Sequence, residues 1–92
     1  MAGEEEIFGI LREILRKEFP DSNIFIGDYS EDAICIRKAE DGYHVFNGTR
    51  NKEEDLTVIE EIMEAVKALI YRLCYDEAQT QNIYDEIVKK IG

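Results

Sequence analysis

The sequence predicts a small α+β domain: an N-terminal helix, three or four antiparallel strands, and two C-terminal helices (α-β-β-β-β-α-α). Apolar residues recur at helical spacing near both ends of the chain, whereas β-branched and aromatic residues alternate in the middle. The dipeptide Asp41-Gly42 is typical of a hairpin turn. Because no segment resembles a linker, residues 1–92 are expected to form one domain, with the C-terminal helices on one face of an antiparallel meander.

The first helix is predicted over residues 4–18. Ile7, Leu11 and Ile14 recur at helical spacing, so that one side of the segment is apolar and the other is charged. Pro20 ends this helix, because the residue before a proline is pushed out of the helical region.

Strands are predicted at residues 23–27, 33–38 and 43–47, where the chain is rich in β-branched and aromatic residues. The second and third should pair antiparallel across the Asp-Gly turn, and an acidic hairpin turn should join the first two. Residues 48–55 are expected to be a polar connection. The segment Leu56–Ile59 fits either a fourth strand or the first turn of the next helix, and its β-branched residues favour the strand.

Two helices are predicted in the C-terminal third. Residues 60–74 carry an unbroken apolar stripe at helical spacing. Asp76 is the expected N-cap of a last helix, because its side chain can accept a hydrogen bond from the first turn. Ile83, Ile87 and Ile91 then mark one apolar face.

The strongest compositional feature is charge. Twenty-one acidic residues against 11 basic ones give a net charge of −10. Binding to nucleic acid or to an anionic membrane requires a basic surface, so neither partner is expected. The chain contains no apolar run near the ~18 residues of a membrane span, and its acidic start is unlike a signal peptide. We therefore expect a cytoplasmic protein.

No pattern in the sequence is typical of a catalytic, cofactor or metal site. Cys35 and Cys74 lie in apolar segments without metal-ligand spacing, and are expected to be buried, reduced thiols. His44 is the single histidine, and alternation places it on the face of its strand opposite to the neighbouring apolar residues. The acids at residues 28–32 lack the spacing of a calcium loop. We therefore expect neither an enzyme nor a cofactor.

The segment "GDYSEDAICI", residues 27–36, combines charge with an aromatic residue. Asp28, Glu31 and Asp32 surround Tyr29, and an aromatic residue ringed by charge is typical of a protein interface. An ordinary solvent-exposed turn explains the same composition, and the sequence does not choose between the two.

Residues 24–75 resemble the small immunity proteins of bacterial polymorphic-toxin systems of the contact-dependent inhibition type. The resemblance lies in the strand "AICIRK", the aromatic strand "GYHVF", the polar loop "NGTRNKEED", and "LTVIEE" running into "IMEAVKALIYRLC". It implies an α+β protein that binds and neutralises a cognate toxin domain, often a nuclease, and it implies no catalytic residues. A basic toxin surface would suit the acidic charge of this chain.

Partner binding is predicted at acidic positions in two segments, with a further acidic group at Glu60, Glu61 and Glu64 as a rival surface. The predicted partner-binding residues are Asp28, Tyr29, Glu31, Asp32, Glu53, Glu54 and Asp55. Two other functions fit the same charge or fold: an acidic mimic of nucleic acid that inhibits a host protein, and a small homodimeric interaction module. An enzyme or metal sensor would instead require Asp28, Glu31 or His44 to converge with other ligands in a pocket. The sequence does not determine the oligomeric state.

Overall fold

The computed structural model describes residues 3–92, which form three helices and four strands in the predicted order. The α+β class and the order α-β-β-β-β-α-α are confirmed. The elements are α1 (Glu4–Glu18), β1 (Ile24–Ile26), β2 (Ala33–Ala39), β3 (Gly42–Thr49), β4 (Lys52–Ile59), α2 (Ile62–Cys74) and α3 (Glu77–Ile91).

The helices begin and end where their sequences favour it. Helix α1 has the predicted bounds, with acids in its first turn and bases in its last turn, as the helix dipole prefers. Asp76 caps α3 as predicted, because its Oδ1 accepts a hydrogen bond from the backbone N–H of Gln79 at 2.9 Å. The buried Thr80 hydroxyl donates to the carbonyl of Asp76 at 2.7 Å and tightens the same turn.

The four strands form one sheet in the order β1-β2-β3-β4. Strands β2, β3 and β4 are antiparallel neighbours, as predicted. Strand β1 instead lies parallel to β2, with Ile24 beside Ile34 and Ile26 beside Ile36. This pairing corrects the expectation of a fully antiparallel meander. Apolar alternation could not reveal the direction, because Ile24 and Ile26 share one face of the strand whichever way it runs.

Residues 27–32 connect the two parallel strands. Parallel neighbours usually need a crossover of a dozen or more residues. Six suffice here because β1 has only three residues, a length of about 10 Å. Gly27 (φ +116°) and Asp32 (φ +56°) turn the chain at the two ends of this connection, which we call the β1–β2 crossover.

The β3–β4 hairpin is longer than predicted. Residues 52–55, expected in a connection, belong to β4, and the loop consists of Arg50 and Asn51 alone. Their φ values of +49° and +64° are typical of a type I′ turn, which matches the twist of a hairpin. The prediction of Leu56–Ile59 as a strand is confirmed. The polar half of β4 was missed because its side chains are mostly exposed and show no apolar alternation.

The two faces of the sheet carry separate apolar clusters. On one face, Ile36 and Val45 are fully buried beneath the helices, in the main core. On the other face, which no helix covers in residues 3–92, Cys35 and Phe46 are fully buried in a smaller cluster with Ala33 and Tyr29. We call this second side the open face. None of the helices in the described residues is long and apolar enough to cross a membrane.

Gly48→Ala should lower the free energy of unfolding by about 1–3 kcal/mol. A Cβ at this position of β3 would collide with the backbone carbonyl oxygen of Ser30 in the crossover. Urea unfolding followed by circular dichroism measures the change.

The matched control is Gly9→Ala on the exposed side of α1, where no atom lies within 4 Å of the added Cβ. This change should stabilise the helix by up to ~1 kcal/mol. If Gly48→Ala left the stability unchanged, the close approach of the crossover to β3 would be contradicted.

Candidate functional site

The β1–β2 crossover lies across the open face and is fixed at several points. The Asp28 carboxylate accepts a hydrogen bond from the backbone N–H of Tyr29 at 2.7 Å. At the other end, the N–H of Asp32 donates to the carbonyl of Gly48, and the Asn23 side chain donates to the carbonyl of Asp32, both at 2.8 Å. The segment is therefore a connection packed against the sheet, and the prediction of a hairpin turn was wrong.

Tyr29 packs against the sheet. Its ring stacks on Phe46 with the ring centroids 6.2 Å apart and the planes 11° from parallel. The Tyr29 hydroxyl oxygen is buried near the backbone N–H of Asn51 without a well-formed hydrogen bond, and burial raises the pKa of this side chain. Tyr29 therefore closes the smaller apolar cluster, while the three acids beside it, Asp28, Glu31 and Asp32, remain exposed.

The crossover and the β3–β4 turn are in direct contact. The Glu31 carboxylate accepts a hydrogen bond from the backbone N–H of Asn51 at 3.1 Å, although the two residues are 20 positions apart. The start of β2, the end of β3 and the start of β4 meet at this end of the sheet. The two segments that the sequence analysis treated as separate are therefore neighbours.

We call the combined surface the acidic end. It contains six of the seven predicted partner-binding residues, all except Tyr29: Glu31, Asp32, Glu53, Glu54 and Asp55 near the β3–β4 turn, and Asp28 at the far end of the crossover, next to β1. Two bases, Arg50 and Lys52, lie in the same region and are exposed. Six carboxylates against two bases still leave this surface strongly negative. The rival acids at residues 60, 61 and 64 follow the other end of β4 and begin α2.

Glu53 differs from the other acids because it has a charged partner. It forms an ion pair with Arg37, whose guanidinium carbon lies 5.2 Å from the centroid of the Phe46 ring. Arg37 also contacts His44 Nδ1 at 3.3 Å, and His44 Nε2 lies 2.7 Å from the Asp41 carboxylate. The hydrogen bond from His44 lowers the pKa of Asp41. His44 therefore lies on the open face, as alternation predicted, within a chain of polar contacts.

The cysteines lie in different environments. Cys35 is fully buried in the open-face cluster, as predicted, and burial raises the pKa of its thiol. Cys74 is only partly buried, and its Sγ lies 3.2 Å from the Thr80 hydroxyl. Within residues 3–92, no three His, Cys, Asp or Glu side chains converge to form a possible metal site.

A groove between β4 and α2 was not predicted from the sequence. It has a volume of about 350 Å³, and Tyr71, Arg72 and Tyr75 contribute to its wall. The two tyrosine rings contact edge to face, with centroids 6.0 Å apart, and Tyr75 is 75% exposed. Tyr75 adopts the left-handed conformation that ends α2, and this conformation places its ring outside the core. The one sequence signal for the exposure of Tyr75 was its position just beyond the apolar stripe of residues 60–74.

Arg72 joins the helix layer to strands β3 and β4. Its guanidinium donates to the Asn47 side chain at 3.3 Å, to the Asp55 carbonyl at 2.8 Å and to the Thr57 hydroxyl at 3.2 Å. Asp55 is held at φ +52° where the pairing between β3 and β4 shifts register. The arginine therefore satisfies a carbonyl at a β-bulge next to the acidic end.

Comparison of the chain with protein-family models, with curated proteins and with solved structures gives no match.

Tyr29→Phe should leave the free energy of unfolding unchanged or slightly higher, because it removes a buried hydroxyl that has no well-formed hydrogen bond. Tyr29→Ala should lower it by roughly 2 kcal/mol, since the ring that covers Phe46 is lost. Urea unfolding of the two variants measures both changes. Equal free energies of unfolding for Tyr29→Phe and Tyr29→Ala would show that the ring does not stabilise the open face.

Proposed function

We infer that this chain is an immunity protein that binds and neutralises a cognate bacterial toxin through its acidic end. The observation that carries the proposal is the contact between Glu31 and Asn51, which brings two acidic segments into one surface. The toxin class that best fits this surface is a nuclease, because a cleft that binds phosphates must itself be basic.

Charge gives the acidic end a kinetic role. The chain carries a net charge of −10, and an acidic patch facing a basic cleft can raise association rates by ~10–10³-fold. Fast capture is useful to an inhibitor that must bind a toxin before it acts. Carboxylates at the cleft would occupy the positions of substrate phosphates, so that binding and inhibition would be the same event.

Three of the six acids are held in place before any partner binds. Asp28 accepts a backbone hydrogen bond within the crossover, and Glu31 accepts one from the neighbouring turn. Glu53 is held by Arg37. Groups that are already ordered lose less conformational entropy on association, which favours affinity.

The function is tested by co-expression with the C-terminal domain encoded immediately upstream of this gene. That domain alone should arrest growth, and co-expression of this chain should restore it through a complex that co-purifies. If the domain is not toxic, or if growth is not restored, the proposal is wrong.

A charge-only variant tests the surface. Asp28→Asn, Glu31→Gln and Asp32→Asn keep every side-chain hydrogen-bond acceptor described above, and Asn tolerates the left-handed conformation at position 32. The net charge changes from −10 to −7. The association rate with the upstream-encoded domain, measured by stopped-flow fluorescence, should fall by about tenfold or more at low salt.

The control removes three exposed carboxylates elsewhere: Glu6→Gln, Glu40→Gln and Asp85→Asn. It has the same net charge of −7, so it separates local charge from total charge. Equal rates for the two variants would show that the acidic end is not the surface that meets the toxin.

A further inference from the structure

Strand β4 lies at one edge of the sheet, and within residues 3–92 no strand pairs with its outer side. After the bulge at Asp55 the strand is regular, since Thr57, Val58 and Ile59 pair with consecutive residues of β3. A regular strand edge presents alternating N–H and C=O groups that another strand can bind. The opposite edge is less suitable, because β1 has three residues and its Ile26 carbonyl already accepts a hydrogen bond from Arg12.

Apolar surface lies on both sides of this edge. On the open face, Leu56 and Val58 are 43% and 45% exposed, which is high for apolar residues in the middle of a strand. On the helix side, the groove containing Thr57, Tyr71 and Tyr75 runs beside the strand. The side chains of an added strand alternate between the two faces of a sheet, so that one set would cover Leu56 and Val58 and the other would enter the groove.

The charge around the edge indicates what kind of strand would bind. Residues 52–61 contain one lysine and five carboxylates, a net charge of −4, with the acids at both ends and the apolar residues between them. A second copy of this chain would place its own edge, with a net charge of −4, against this one, and the two edges would repel each other. A basic strand would instead be attracted at both ends.

We propose that the outer edge of β4, at Leu56–Ile59, binds an extended, basic strand of the partner protein by main-chain hydrogen bonding. This inference rests on the proposed function for the identity of the partner, and it adds the mode of binding. The partner strand carries small apolar side chains toward Leu56 and Val58, and lysine or arginine at both ends, opposite the acids at residues 53–55 and 60–61. Tyr71 and Tyr75 contact the side chains on its other face.

The test uses a synthetic peptide, acetyl-Lys-Lys-Val-Thr-Val-Thr-Lys-Lys-amide, and does not require the toxin. Titration of this peptide into the isotope-labelled protein, followed by NMR, should shift the backbone amide resonances of residues 56–59. It should also slow the hydrogen exchange of those amides among them that face outward. A control peptide, acetyl-Lys-Lys-Val-Pro-Pro-Thr-Lys-Lys-amide, has the same charge but lacks an N–H on each side of the strand. It should bind about tenfold more weakly, because ladder hydrogen bonds are lost.

Val58→Lys provides the matched test on the protein, because a lysine on an edge strand opposes strand addition. Val88→Lys on α3 is its control, since Val88 is exposed to a similar extent, 43%, and the charge change is the same. Only the β4 variant should lose peptide binding, with both variants folded by circular dichroism.

The outcomes separate this inference from the proposed function. No binding at millimolar peptide, equal binding of the two peptides, or shifts confined to the acidic end would overturn strand addition, while rescue by the unmodified chain would still stand. A concentration-dependent dimer in sedimentation experiments that disappears in Val58→Lys would also overturn it, because the edge would then bind a second copy. If the unmodified chain bound the peptide at β4 but did not restore growth in the co-expression experiment, the proposed identity of the partner would be wrong and strand addition would stand.

Discussion

The contact of the β1–β2 crossover with β3 determines most of the other features of this molecule. The crossover returns the chain to the same end of the sheet, so that β1 and β2 run parallel. Its approach requires Gly48, where any Cβ would meet the carbonyl of Ser30. In this position the Tyr29 ring covers Phe46, and the open face gains a small buried cluster without a second helix layer.

The distribution of charge follows from the same contact. Because the crossover ends beside the β3–β4 turn, Glu31 reaches Asn51 and the acids of residues 28–32 join those of residues 53–55. Two arginines hold the adjoining strands: Arg37 pairs with Glu53 on the open face, and Arg72 binds β4 from the helix side. These two bases are therefore partly buried within the fold, whereas five of the six carboxylates of the acidic end are exposed.

Elements defined by local pattern could be predicted from the sequence, whereas features set by distant contacts could not. The apolar spacing of α1 and the cap at Asp76 gave the correct helices. The direction of β1 depends on the short crossover, and its two inward isoleucines look the same in either direction. The acids at residues 28–32 and 53–55 were both candidates, but only the packed crossover makes them one surface. The exposure of Tyr75 had one local signal, its position just beyond the apolar stripe, but nothing in the local pattern indicated that Tyr29 would be packed.

The direction of the β1–β2 pairing is the measurement that tests this account most directly. Nuclear Overhauser spectra of the labelled protein should connect Ile24 with Ile34 and Ile26 with Ile36, together with contacts between the rings of Tyr29 and Phe46. An antiparallel hairpin would reverse the order, placing Ile26 beside the start of β2 and Ile24 further along it. That reversed pattern, without contacts between the two rings, would contradict the packed crossover and the single acidic end that depends on it.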